Sequence, residues 1–144
     1  MVDVRTEIEI DRPRSDVAEY ASNPENASTW YEHIKSAEWN STKPLAVGTR
    51  IVFVAHFLGK RFDYVYEIKA LDPGQRLIMG TREGPFPMET TYAWEDTANG
   101  GTKMQLRNRG QPRGFSRVTS FFLARSMKKA NQRDLNRLKA ILER

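Results

Sequence analysis

Three tyrosines and one asparagine are the side chains of this sequence best placed to do chemistry. Tyr64, Tyr66 and Tyr92 fall on the inward side of predicted strands, and Asn131 falls on the apolar side of a predicted long helix. A buried phenol can position a carbonyl group or act as a general acid when its surroundings shift its pKa, although a core tyrosine with a satisfied hydroxyl is more common. A buried amide needs hydrogen-bond partners, so Asn131 contacts either backbone groups or a bound ligand. No catalytic role is assigned to any of the four.

Metal and carboxylate chemistry have little support. The chain has no cysteine and two histidines, His33 and His56, with neither a His-x-Glu nor a His-Glu-x-x-His spacing. We therefore predict no metal site and no cofactor, and we interpret the histidines as solvated. Asp63, Glu67 and Glu89 fall on the solvent side of their predicted strands, which argues against a pair of catalytic carboxylates.

The elements that must position these side chains are a sheet followed by a long helix. Alternation of apolar and polar residues, with turn signals between the runs, predicts seven strands. They cover Val4–Ile10, about His33–Ser41, Thr49–Phe57, Arg61–Leu71, Arg76–Arg82, Phe86–Glu95 and Thr102–Arg109. Two short helices follow the first strand, and Asn23-Pro24-Glu25 begins the second. Consecutive strands with tight turns indicate an antiparallel sheet and the α+β class.

One uninterrupted helical pattern closes the chain, from about Arg117 to Arg144. About 28 helical residues span roughly 40 Å, enough to cross the domain. One stripe of this helix is apolar, with Asn131 near its middle. The stripe consists of Ala124, Met127, Leu135, Leu138, Ile141 and Leu142.

A cavity follows from the widths of these elements. Seven strands make a sheet roughly 30 Å wide, whereas one helix is about 10 to 12 Å across, so the sheet must curl around the helix. Ile34 and Trp39 cannot both face inward on a regular strand, which predicts a β-bulge there. A solid core is the alternative to a cavity. The predicted ligand-binding residues are Trp30, Phe53, Tyr64, Tyr66, Met79, Tyr92, Trp94, Met104, Met127 and Asn131.

Several short motifs occur in a characteristic order along the whole chain. They are Ser22-Asn23-Pro24-Glu25-Asn26 through Trp30, Val47-Gly48-Thr49, Gly84-Pro85-Phe86, Gly101-Thr102 and Asp134-Leu135-Asn136-Arg137-Leu138-Lys139. With this order and spacing the chain resembles the helix-grip superfamily of START and Bet v 1-like proteins, and within it the polyketide cyclase/dehydrase and lipid transport (SRPBCC-type) subgroup. The resemblance implies one domain over residues 1–144 and a deep cavity between a curved sheet and the last helix. No catalytic residue is carried over from it.

The net charge of the chain is concentrated in its last part. Of the formal +5, residues 113–144 contribute nine Lys or Arg against two acids, a net of +7. Arg125, Lys129, Arg133 and Arg137 recur every four residues on the side opposite the apolar stripe. A solvated face is the ordinary interpretation, and an anionic membrane surface or a phosphate backbone are the functional ones. We do not expect nucleic acid as a partner, because no recognised binding motif accompanies the charge.

Two neighbouring features remain open as well. Val118 and Phe122 point away from the apolar stripe and, with Phe115, predict a pocket lip, a dimer contact or a lipid-facing edge. The glycine-containing loop 110–114 is a candidate gate, although a plain connector is the ordinary case.

Composition and the amino terminus bound the class of protein. No stretch approaches the length of an apolar membrane span, and residues 1–8 mix charged and apolar side chains, unlike a signal peptide. We therefore expect a soluble cytoplasmic protein, and its oligomeric state stays open. The leading hypothesis is binding or transport of a small hydrophobic molecule, without required catalysis. The alternatives are a cyclase or dehydratase acting on a hydrophobic substrate, and an interaction module that uses the basic helix face.

Overall fold

Seven strands form one antiparallel sheet in the computed structural model, which describes residues 1–57, 59–82, 86–112, 114 and 116–144. The strands are β1 (Val2–Ile10), β2 (Ile34–Trp39), β3 (Arg50–Phe57), β4 (Lys60–Asp72), β5 (Arg76–Thr81), β6 (Met88–Asp96) and β7 (Thr102–Gly110). Their order across the sheet is β1-β7-β6-β5-β4-β3-β2. From β2 onward every strand pairs with its neighbour in sequence, and only β1 pairs across the chain, with β7. The predicted α+β class and the strand number are confirmed.

The helices are α1 (Arg14–Ser22), a 3₁₀ turn (Pro24–Asn26), α2 (Ala27–Trp30) and α3 (Arg117–Leu142). The predicted cap before the second short helix is present, since Asn23 Oδ1 accepts the N–H of Glu25 at 3.0 Å. Ser116 caps α3 in a similar way, and its Oγ accepts the N–H of Thr119 at 3.1 Å. The long helix therefore begins where the sequence predicts it.

The predicted β-bulge in β2 is confirmed. The pairing of β2 with β3 shifts between Ile34 and Ser36. A second shift, which the sequence did not predict, lies between Ile68 and Ala70 where β4 meets β5. Bulges bend and twist a strand, so both contribute to the curvature of the sheet.

Helix α3 lies along the edge strand β1 and bonds to its outer carbonyl groups. Lys139 Nζ donates to the carbonyl oxygen of Glu9 at 2.8 Å, and Gln132 Nε2 donates to that of Glu7 at 3.4 Å. Arg12 Nη1 donates to the carbonyl oxygen of Leu142 at 2.7 Å, at the end of the helix. These contacts cover an edge that would otherwise be open to pairing with another chain.

The hydrophobic core lies between the inner face of the sheet and the helices. The predicted inward side is confirmed for Ile68, Tyr92, Trp94, Met104 and Leu106, all at most 3% exposed. Full burial of each large apolar side chain stabilises the fold by about 1.5 to 3 kcal/mol. The helices contribute Val17, Ala18, Ala27, Trp30, Leu135 and Leu138.

Some sequence predictions fall on residues outside the described ranges. These are the turn at Glu83-Gly84-Pro85, Leu58 of the turn between β3 and β4, Arg113 of the candidate gate and Phe115 of the candidate lip. None of the helices in the described part of the chain has the length and apolar character needed to cross a membrane.

Candidate functional site

A cavity of about 290 Å³ lies on the inner face of the sheet. Most of its lining is aromatic or aliphatic, and a small number of polar atoms point into it. The lining residues are Tyr31, His33, Ile34, Phe53, Ala55, Phe62, Tyr64, Tyr66, Met79, Met88, Thr90, Tyr92 and Asn108. Such a lining is typical of small-molecule sites.

Strand pairing explains why these residues meet. Phe53 pairs with Tyr64 across β3 and β4, and Thr90 pairs with Asn108 across β6 and β7. Directly paired residues point to the same face of a sheet, so each pair places two side chains in the cavity. The cavity therefore occupies the end of the sheet where β3 and β7 finish and β4 and β6 begin.

Two phenol groups from distant parts of the chain meet at the cavity wall. The hydroxyl oxygens of Tyr31, directly after α2, and Tyr92, in β6, lie 2.5 Å apart. The indole rings of Trp30 and Trp94 pack against the ring of Tyr92, and their centroids lie 5.8 and 6.1 Å from its centroid. Each hydroxyl can donate one hydrogen bond and accept others. The pair can thus bind one ligand oxygen while remaining bonded to each other.

The surroundings of these phenols keep them protonated. Burial raises the pKa of Tyr31 well above its ordinary value and raises that of Tyr92 as well. Burial also raises the pKa of Tyr66 to about 12, against the opposing effect of a hydrogen bond with Thr90. Neutral phenols donate hydrogen bonds well, but a phenol with a raised pKa is a weak general acid at neutral pH. The environment favours ligand binding over proton transfer by these groups.

A second polar pair projects from β6 and β7. Thr90 Oγ1 donates to Asn108 Oδ1 at 2.7 Å, and both side chains are buried. The Thr90 hydrogen bond uses the amide oxygen of Asn108, and the amide nitrogen carries two N–H donors of its own. This pair and the phenols give the cavity two polar patches on an apolar background.

The segment that carries Tyr31 and His33 is tied to α3. Asp134 Oδ1 accepts the backbone N–H of Glu32 at 3.0 Å, and Arg137 Nη1 donates to the carbonyl oxygen of Trp30 at 3.0 Å. Burial raises the pKa of Asp134 to about 6, although the Glu32 N–H and Arg137 lower it. The long helix thus positions one wall of the cavity without lining it.

The structure brings together half of the predicted ligand-binding residues. Phe53, Tyr64, Tyr66, Met79 and Tyr92 line the cavity. Behind them lie Trp30 and Trp94 as ring contacts of Tyr92, and Met104, which is fully buried.

The two predicted residues of α3 lie elsewhere. Met127 is half-buried, and Asn131 is 7% exposed with an Nδ2 that has no hydrogen-bond partner among the described residues. The expected cavity between sheet and last helix is therefore lined by the sheet and the α2–β2 connection. The reason is that α3 packs on the edge strand β1, and its deeply buried side chains belong to its second half.

Sequence reasoning missed eight of the lining residues. They are Tyr31, His33, Ile34, Ala55, Phe62, Met88, Thr90 and Asn108. Alternation along β6 and β7 places Thr90 on the side of Tyr92 and Asn108 on the side of Leu106, so that signal was available. Tyr31 and His33 follow a short helix without periodicity, and only the tertiary structure turns them inward.

The basic stripe of α3 divides into two halves. Arg133 lies 3.5 Å from Glu32, and Arg137 bonds to Trp30 and approaches Asp134 at 3.8 Å. Arg125 and Lys129 are exposed and form no ion pair within the described part of the chain. Arg133 and Arg137 therefore support the fold, whereas Arg125 and Lys129 are available to contact another molecule.

Across the described ranges, no three His, Cys, Asp or Glu side chains are grouped as metal ligands would be.

Comparison with known proteins agrees with this architecture. The family model described as polyketide cyclase / dehydrase and lipid transport matches residues 1–143. No curated protein sequence matches the chain.

Solved structures share the fold at low sequence identity. TTHA0849 from Thermus thermophilus has a TM-score of 0.80 at 22% identity, with coverage of 96% of this chain and 94% of that one. The di-domain ARO/CYC BexL from the BE-7585A biosynthetic pathway has a TM-score of 0.82 at 18% identity, over 99% of this chain and 47% of its own. Ara h 8.0201 has a TM-score of 0.74 at 16% identity, over 97% and 96%. The chain thus spans about half of the di-domain protein, and these likenesses establish the fold.

Proposed function

The chain belongs to the polyketide cyclase/dehydrase and lipid transport family, and on that premise we propose that it binds a compact aromatic molecule bearing a hydroxyl or carbonyl group. The observation that carries the proposal is the apolar cavity with the hydroxyl pair of Tyr31 and Tyr92 at its wall. Apolar contact supplies affinity in such a site, and a few placed polar groups supply orientation.

Cavity size supports a compact ligand. An apolar cavity of about 150 Å³ accommodates benzene, so the volume of about 290 Å³ suits two rings. That volume also lies just below the range of about 300 to 1,000 Å³ found for the sites of drug-sized ligands. A phospholipid with two acyl chains would not be enclosed.

Polar groups support a ligand with at least one oxygen. A hydroxyl or carbonyl oxygen at the Tyr31 and Tyr92 pair would receive a hydrogen bond from a neutral phenol. A purely apolar ligand would instead cover these hydroxyls and receive no bond from them. The cost of covering a polar group without a new partner is about 1 to 3 kcal/mol.

A titration with naphthol and naphthalene tests the proposal. Trp30 and Trp94 flank Tyr92, so we expect saturable quenching of tryptophan fluorescence, with naphthol the tighter ligand. Ala55→Leu adds volume at a lining position and should abolish binding, whereas Ala93→Leu, in the same sheet but outside the lining, should not. Equal binding by both variants, or no saturable binding of either probe, would contradict the proposal.

A cyclase or dehydratase is the second candidate, and His33 is the observation that favours it. Its imidazole lines the cavity with the two phenols, and histidine is the commonest general base in enzymes. His33 would take a proton from the carbon next to a ligand carbonyl while a phenol bonds the carbonyl oxygen. Incubation with aromatic β-keto compounds followed by mass spectrometry should then show turnover that His33→Gln abolishes. Binding of these compounds without turnover would favour ligand binding over catalysis as the function.

A further inference from the structure

An exposed face on the first half of α3 combines large apolar side chains with positive charge. Val118, Phe121 and Phe122 are 65, 62 and 61% exposed, and the two phenylalanine rings contact each other edge to face with centroids 5.7 Å apart. Contiguous exposed apolar patches on a protein surface commonly mark sites of interaction with proteins or membranes. We call the stretch from Arg117 to Lys129 the docking face.

Positive charge shares this face with the apolar side chains. The stretch carries four cations and no acid, and the cations are Arg117, Arg125, Lys128 and Lys129. At 100° per residue, Phe121, Arg125 and Lys129 fall within the same arc of about 100° as Val118 and Phe122. Arg117, Arg125, Lys128 and Lys129 form no ion pair with any residue in the described part of the chain.

We propose that the docking face binds anionic phospholipid bilayers. Phenylalanine and valine side chains enter the boundary between headgroups and acyl chains, while arginine and lysine extend their apolar stems and keep their charges among the headgroups. Each such cation contributes to attraction by an anionic leaflet. A lipid surface therefore satisfies both kinds of side chain at different depths.

A second copy of the chain is the weaker partner for this face. A two-fold contact brings the same patch against itself, so four cations would meet four others around the buried phenylalanine rings. A bilayer with anionic lipid is complementary in charge. The docking face also lies at the cavity end of the molecule, because Phe121 and Arg125 lie beside Val4 at the start of β1, and Val4 pairs with Asn108 of the cavity lining. Bilayer docking stands independently of which ligand the cavity holds.

Cosedimentation of the full chain with vesicles tests the proposal. We expect weak binding to phosphatidylcholine vesicles and strong, salt-sensitive binding when about one third of the lipid is phosphatidylserine. Arg125→Gln with Lys129→Gln should lower the partition coefficient by roughly thirtyfold, and Phe121→Ser with Phe122→Ser by about tenfold or more. Arg76→Gln with Arg144→Gln removes the same charge from exposed positions at the opposite end of the molecule and should leave binding unchanged.

Several results would overturn the proposal. They are absence of vesicle binding, equal binding with and without phosphatidylserine, or an equal loss in the control variant. It also fails if the wild type is a dimer that Phe121→Ser with Phe122→Ser makes monomeric, or if only duplex DNA is bound. All substituted side chains are exposed, and an unchanged melting temperature with retained naphthol binding would show that the variants are folded.

Discussion

The carboxylate of Asp134 on α3 accepts the backbone N–H of Glu32 at 3.0 Å and so fixes the segment between Tyr31 and His33. The two residues are 102 positions apart in sequence. Burial makes this contact costly, because a charged carboxylate has lost most of its hydration. The helix therefore holds the cavity wall through a group whose charge is unfavourable in the fold.

We predict that Asp134→Asn stabilises the protein at pH 8 and has little effect at pH 4. Burial raises the pKa of Asp134 from 3.8 to about 6, so the folded state holds a proton that the unfolded chain releases between these values. The free energy of unfolding therefore falls as pH rises through this window, by about 2 to 3 kcal/mol in total. Asparagine keeps an acceptor for the Glu32 N–H without the charge.

Thermal or urea unfolding of the wild type and the variant across pH 4 to 8 measures the effect. Asp134→Ala is the matched control, because it removes both the charge and the acceptor for the Glu32 N–H. Greater stability of the wild type than of Asp134→Asn at pH 8 would contradict the interpretation.

Tyr92→Phe should weaken the binding of naphthol by about three- to tenfold and leave naphthalene almost unaffected. The variant removes one hydroxyl of the cavity pair and keeps the ring, so the loss is that of one hydrogen bond, about 0.5 to 1.5 kcal/mol. Tyr20→Phe is the control, since the Tyr20 hydroxyl bonds the exposed Thr29 at 2.7 Å outside the cavity. Fluorescence titration of the wild type and the two variants with both probes measures the six affinities. An equal effect on both probes would assign Tyr92 a packing role only.

Asn131→Leu should raise the free energy of unfolding by about 1 kcal/mol and leave ligand affinity unchanged. Asn131 is buried, and its Nδ2 has no hydrogen-bond partner among the described residues. Removing a buried donor without a partner removes its desolvation cost, about 1 to 3 kcal/mol, part of which is lost again to imperfect packing of leucine. Chemical denaturation and naphthol titration give the two readouts. A loss of affinity at unchanged stability would instead place Asn131 at the ligand.

Gly110→Ala should destabilise the protein by about 1 to 3 kcal/mol. A Cβ at Gly110 would lie 2.5 Å from the ring of Phe86 and 2.9 Å from the carbonyl oxygen of Pro87, and Phe86 is buried. At Gly80 a Cβ would meet nothing closer than 3.5 Å, so Gly80→Ala is the matched control with little effect. Denaturant midpoints compare the two variants, and equal midpoints would show that the Phe86 ring shifts aside at little cost.

Much of the fold follows from local signals in the sequence. Alternation in the strands, the Asn23-Pro24 cap and the run of helical residues from Arg117 onward each depend on neighbours within a few positions. The same applies to the bulge in β2, which the positions of Ile34 and Trp39 require. The inward side of each strand then follows, and with it Phe53, Tyr64, Tyr66, Met79 and Tyr92 as cavity residues.

Long-range packing decided the remaining part of the site. The meeting of Tyr31 with Tyr92, and of Glu32 with Asp134, joins segments 61 and 102 residues apart, and no local pattern encodes such distances. For the same reason, the sequence does not distinguish the four cations of the basic stripe. In the structure, Arg133 and Arg137 bond to the α2–β2 connection, whereas Arg125 and Lys129 are exposed to solvent. The sequence alone determined the elements and their buried faces, because these depend on local periodicity. The tertiary structure decided that α3 covers the edge of β1 and supports the cavity wall from outside, because that depends on which surfaces meet.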